Sequence, residues 1–198
     1  MATIRRIPIA VFLVLAAIAA IAALAPVDRI LGSSARIAYL HGATVWAALL
    51  AFASAAVSGL AGFVLRRDEL HRWSAGLGRA ATAFWILSLL LSLASMQLSW
   101  NGLFFAEPRW GLGLRFGVTA VLLQVAAAVL GRPRFASFLN IVYFGALAFA
   151  LAGVPSVMHP VSPVFTSDSV GIRLLFLALL AMVLAAAALL AKRLRPDA

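Results

Sequence analysis

The chain has 198 residues, 65% of them apolar and only 11% charged. Soluble domains run at roughly 45–50% apolar and about 25% charged, so a water-soluble domain, a disordered chain and a coiled coil are excluded. Sixteen basic residues against six acidic ones give +10, but the charges fall in short clusters between long apolar runs, which is the topology pattern of a membrane protein rather than a nucleic-acid surface.

Six apolar segments approach the roughly 20 residues that a spanning helix needs. They cover about 7–25, 37–65, 77–98, 112–130, 135–154 and 170–191. This predicts an all-α polytopic membrane protein, a six-transmembrane-helix bundle forming one integral membrane domain over 1–198. The first segment follows Arg5-Arg6 and ends in Ala22-Ala23-Leu24-Ala25-Pro26, which resembles a secretory signal; its apolar run is long for one, and it is read as a span. The second opens on Tyr39-Leu40-His41 and carries Trp46. A basic loop over 66–73 follows, with His71 expected as a solvated loop histidine. In the third, Ser88, Ser92, Ser95 and Ser99 follow Trp85 at i, i+4, i+7 and i+11, on one helical face; such a face is expected to serve helix packing. A Gly- and Phe-rich loop bracketed by Trp100 and Trp110 leads to the fourth segment, where Gly113 and Gly117 form a GxxxG. Gly131-Arg132-Pro133-Arg134 joins it to the fifth, and a segment containing His159 precedes the sixth.

The basic residues orient the spans. With the N-terminus inside, eleven of sixteen fall on the inner side and Arg29, Arg36, Arg109, Arg115 and Arg173 on the outer. This positive-inside bias places both termini in the cytoplasm, and the short basic inner loops would meet anionic headgroups.

Chemistry is scarce. The absence of cysteine excludes disulfides, thiolate metal sites, iron–sulfur clusters and covalent c-type haem on this chain. Glu107, Asp28 and Asp168 stand isolated on the outer side, so neither a paired carboxylate nor an activated nucleophile is available and no enzyme is expected. Of three histidines, the topology sets His41 and His159 on the outer side at similar depth. Ionisable residues near the hydrocarbon are functional candidates by default, and neutral imidazole is a common iron ligand. The plainer reading is that each caps a helix end, and that Trp46 and Trp73 belong to the aromatic belts of the membrane interfaces.

The outer motifs carry a resemblance. Tyr39-Leu40-His41 resembles the Tyr-Ile-His of the CcmC-type haem-handling proteins of cytochrome c maturation. Pro108-Arg109-Trp110-Gly111 is similar to that family's Pro-Thr-Trp-Gly, and Val154-Pro155 followed by Met158-His159-Pro160 to its Val-Pro and Leu-His-Gln/Pro. The order of these pieces and the six-span layout agree over roughly residues 36–185. The family's Trp-Trp-x-Trp-Asp stretch is absent; the chain reads Leu112-Gly113-Leu114-Arg115 there, so the resemblance stops short of the surface that presents haem to a chaperone partner.

The resemblance implies haem b at the outer face, with His41 and His159 as axial ligands and Trp110 beside them. Propionates need cations at the aqueous edge, and Arg115, near the Trp-Gly, is the expected one among the outer arginines. The expected function is delivery of haem for cytochrome c maturation in a bacterial or archaeal cytoplasmic membrane, with the lipid bilayer, haem and other membrane subunits as partners and no nucleic acid. A haem b electron-transfer subunit and a haem-free scaffold of a respiratory complex are the alternatives. A second bis-histidine site cannot be built from His71 alone.

Overall fold

The computed structural model describes residues 9–26, 32–157, 164–165 and 167–197. They form six helices: α1 (Ile9–Leu24), α2 (Ala35–Leu65), α3 (Asp68–Trp100), α4 (Pro108–Leu130), α5 (Pro133–Gly153) and α6 (Val170–Leu194). Five of these, α2 to α6, are long and apolar enough to cross a membrane. The sixteen residues described in α1 fall short of the roughly 20 required. The fold is an all-helical bundle of the multi-pass membrane kind.

Helix boundaries follow from a few residues. The loop expected over 66–73 shrinks to two: Arg66 adopts the left-handed conformation at φ 53°, Arg67 is extended, and α3 starts at Asp68. Asp68 and Glu69 sit in its first turn, where carboxylates offset the positive end of the helix. The α4–α5 turn repeats this build with Gly131 at φ 61° and an extended Arg132 before Pro133. Proline suits the first helical position because the missing N–H would have had no helical partner there; Pro108 opens α4 in the same way.

The antiparallel pair α2–α3 forms the centre. α5 packs on both, α6 on α3 and α2, α4 on α5 and α3, and α1 lies outside against α6 and α2. Small residues fill the contacts: Ala43, Ala47, Ala48, Ala55, Ala80 and Ala81 are fully buried. In lipid, helices associate by close backbone approach, which alanine and glycine permit. Large apolar side chains such as Leu122, Val129 and Phe149 point outward, as a bilayer environment requires.

One half of the bundle is stapled by polar groups. Asn140 Nδ2 donates to the Ser74 carbonyl at 2.9 Å and to its hydroxyl at 3.1 Å. Gln124 Nε2 donates to Asn140 Oδ1 at 3.0 Å, and Ser74 Oγ to the Ala55 carbonyl at 2.7 Å. These bonds tie α2, α3, α4 and α5 together. His71 belongs here, and the expectation of a solvated loop histidine is wrong. It is 2% exposed, with Nδ1 2.8 Å from Ser137 Oγ and its ring edge-on to Phe63. The early start of α3 puts His71 on a helical face turned toward Gly62, whose missing side chain makes room for the ring. Beyond this staple, at the end carrying the two short turns, Arg134 pairs with Asp68 at 3.0 Å, and Arg72 and Arg195 both pair with Glu69. Arg79 Nη1 donates to the Leu194 carbonyl at 2.8 Å, and the Arg195 guanidinium lies 4.8 Å from the Trp73 ring centre.

Candidate functional site

The opposite half of the bundle is hollow. A cavity of about 610 Å³ lies between the first half of α2, the second half of α3, the start of α4, the end of α5 and the start of α6. Its size falls in the range of small-molecule and cofactor pockets. His41, Trp46, Trp85, Trp100 and Trp110 line it, with Glu107 and Arg109.

His41 lies on α2, and its Nδ1 is 3.0 Å from the Ser88 carbonyl of α3. A carbonyl only accepts, so Nδ1 carries the proton of this bond and the lone pair of the neutral ring sits on Nε2. Metal-ligating histidines adopt this arrangement, donating the other ring N–H to a carbonyl or carboxylate that fixes tautomer and orientation.

The serine face of α3, expected to serve packing, lines the cavity through Ser88, Ser92 and Ser95. Two of these hydroxyls donate to their own helix: Ser88 to the Trp85 carbonyl at 2.7 Å and Ser92 to the Leu89 carbonyl at 2.6 Å. Their spent protons leave oxygens that accept, and Ser92 Oγ receives Trp110 Nε1–H at 3.1 Å. Trp85 Nε1 donates to the Gly113 carbonyl at 2.9 Å. A Cβ at Gly113 would stand 3.2 Å from Leu89, and one at Gly117 3.0 Å from it, so the GxxxG of α4 is what lets that helix close on α3. One indole from each helix is thus bonded across the α3–α4 seam. Trp46, expected in an interfacial belt, lines the cavity and meets Phe165 edge-on at 5.6 Å.

The rim is held by the residues on either side of Pro108. Glu107, 5% exposed, accepts the Val157 N–H at 3.4 Å. Arg109 Nε donates to Ser156 Oγ at 2.5 Å. Together they fasten the α3–α4 loop to the segment that follows α5. Sequence reasoning set Glu107 aside as isolated. The signal available was its place directly before a proline at the first position of a helix, where the chain direction is fixed.

Of the four residues singled out from sequence, His41 and Trp110 line the cavity. Arg115 does not. It lies on an exposed face of α4, its Nε on the Gly111 carbonyl at 3.2 Å, and the arginine at the cavity is Arg109. His159 lies outside the described residues. Among the described residues no three His, Asp or Glu side chains gather as a metal cluster. Compared with known proteins, the chain matches no family model, no curated protein and no solved structure. The arrangement can hold a flat, largely apolar molecule between indoles, offer it one oriented imidazole and meet an anionic edge with a guanidinium.

Proposed function

We propose that this chain is a membrane haem-handling protein with both termini cytoplasmic, which binds haem b in the cavity and passes it on for cytochrome c maturation. The observation that carries the reading is the His41–Ser88 bond, which fixes the imidazole in the tautomer that an iron ligand requires. The indole walls and the cavity volume suit a porphyrin-sized apolar body. Bound haem would supply an iron that imidazole nitrogens could hold. His41 is the first of these in our reading, held by the Ser88 carbonyl. His159, assigned from its sequence motif, is the second. Trp110, hydrogen-bonded to Ser92, walls the cavity, and Arg109 takes the propionate role that sequence had given to Arg115. The delivery step and the bacterial or archaeal cytoplasmic membrane rest on the resemblance of the outer motifs.

The test is the visible spectrum of the detergent-purified chain loaded with haemin. Wild type is expected to give a low-spin b-type spectrum. His41→Ala and His159→Ala each convert it to high spin or lose the haem, whereas Trp73→Phe, at the far end of the bundle, leaves it unchanged. Unaltered haem affinity and spin state in His41→Ala refutes the site.

A further inference from the structure

The end of the bundle opposite the cavity holds more positive charge than its own contacts use. Asp68 is taken by Arg134, and Glu69 by Arg72 and Arg195; Arg79 is on the Leu194 carbonyl. Arg66, Arg67 and Arg132 meet no carboxylate among the described residues, and all three are exposed. They occupy the two short turns, α2–α3 and α4–α5, which share one build: a left-handed residue, then an extended arginine, then a helix. Arg67 has φ −110°, ψ 110° and Arg132 φ −111°, ψ 105°. The Arg134–Asp68 bridge fastens one turn to the other, so equivalent arginines stand on adjoining hairpins.

Helix capping does not account for this choice of residue. Arg67 and Arg132 occupy the capping position before a helix, where Ser, Thr or Asp would donate an acceptor and where a cation is repelled by the positive helix end. Neither makes a side-chain capping bond. Depth supplies the missing counterpart. With 23 residues in α4 and 21 in α5, these helices are about 34 and 31 Å long at about 1.5 Å per residue. That is close to the roughly 30 Å of a hydrocarbon core, so their connecting turn sits at the phosphate level of the bilayer. A guanidinium binds a phosphate oxygen pair through two parallel N–H bonds, and juxtamembrane arginines are drawn to anionic lipid.

We propose that the twin turns form a binding site for the phosphate of an anionic phospholipid, with Arg67 and Arg132 as its two forks and Arg66 adding charge. This site is independent of the cavity and of what fills it.

The experiment titrates the full-length chain in detergent micelles with phosphatidylglycerol and counts retained lipid by native mass spectrometry. Arg67→Gln/Arg132→Gln is set against Lys192→Gln/Arg193→Gln, which removes the same charge from the exposed end of α6. The first pair is expected to weaken lipid binding by roughly tenfold or more, given about one surface interaction lost per arginine, and the second to change it little. Arg67→Lys/Arg132→Lys retains charge without the fork and should fall between wild type and the glutamine pair, which also guards against a folding defect in the latter. Equal weakening by both glutamine pairs would reduce the effect to diffuse charge and overturn the site. Phosphatidylcholine binding as tightly as phosphatidylglycerol would overturn it too, as would displacement of the lipid by inorganic phosphate.

Discussion

Gly62→Ala tests the packing of the stapled half directly. A Cβ on Gly62 would stand 2.8 Å from both Cε1 and Nδ1 of His71 and 3.1 Å from its Cγ, well inside van der Waals contact. The ring cannot retreat cheaply, since Nδ1 is bound to Ser137 Oγ at 2.8 Å and the ring rests against Phe63 at 4.6 Å between centres. Either α2 and α3 part, or the ring turns and abandons its bond. Overpacking a filled interior costs about 1–3 kcal/mol, and a broken buried hydrogen bond about 1–3 kcal/mol. Against this, alanine is favoured over glycine in a helix by about 1 kcal/mol. The net expectation is a loss of about 0–2 kcal/mol, read as a shift in the unfolding midpoint when dodecylmaltoside micelles are titrated with dodecyl sulfate under circular dichroism. In a His71→Ala background the obstacle is gone, and Gly62→Ala should be neutral or slightly stabilising. Gly145→Ala, where a Cβ meets nothing within 4 Å, should be harmless in either background. Equal destabilisation by Gly62→Ala with and without the ring would show that the two sites are not coupled and refute the reasoning.

The two rim residues and the two candidate arginines separate cleanly by substitution. Arg109→Ala should weaken retention of haemin by roughly tenfold, the value of one charge-assisted hydrogen bond, while Arg115→Ala leaves it unchanged; equilibrium dialysis against haemin measures both, and the reverse ranking would restore the sequence-based choice. Glu107→Gln preserves a carbonyl acceptor for the Val157 N–H and should leave the rim intact, whereas Glu107→Ala should raise amide hydrogen exchange at Val157 several-fold, as expected when a local bond is lost; protection unchanged in Glu107→Ala would mean the bond holds nothing.

The helices were legible because apolar run length is a strong signal in so apolar a chain, and the six runs reappear as α1 to α6. Their ends were not. Arg66 to Trp73 reads as a polar loop by composition, yet Asp68 and Glu69 are the residues that start a helix, and the capping logic outweighs hydropathy there. His71 was misplaced for the same reason: its burial depends on Gly62, four residues before the turn, and no local pattern announces that pairing. At the site, His41 and Trp110 came from short motifs. The serine face was noticed but assigned to packing, because a face of hydroxyls looks alike whether it meets another helix or a cavity. Arg109 and Arg115 are separated by six positions on one helix start, and only the direction in which α4 leaves Pro108 decides which of them reaches the rim. Glu107 was invisible because its partner, the Val157 N–H, is a backbone group fifty positions away.

The amide of Asn140 also bears on the order in which the chain is assembled. Alone in hydrocarbon, α5 would carry an uncompensated amide at a cost that membrane helices avoid. Its own N–H donors are both spent on Ser74, and its carbonyl accepts from Gln124. These partners belong to α3 and α4, which leave the ribosome first. When α5 enters the bilayer its receptors are already there, so the residue most hostile to lipid is also the one that recruits α5 to its neighbours.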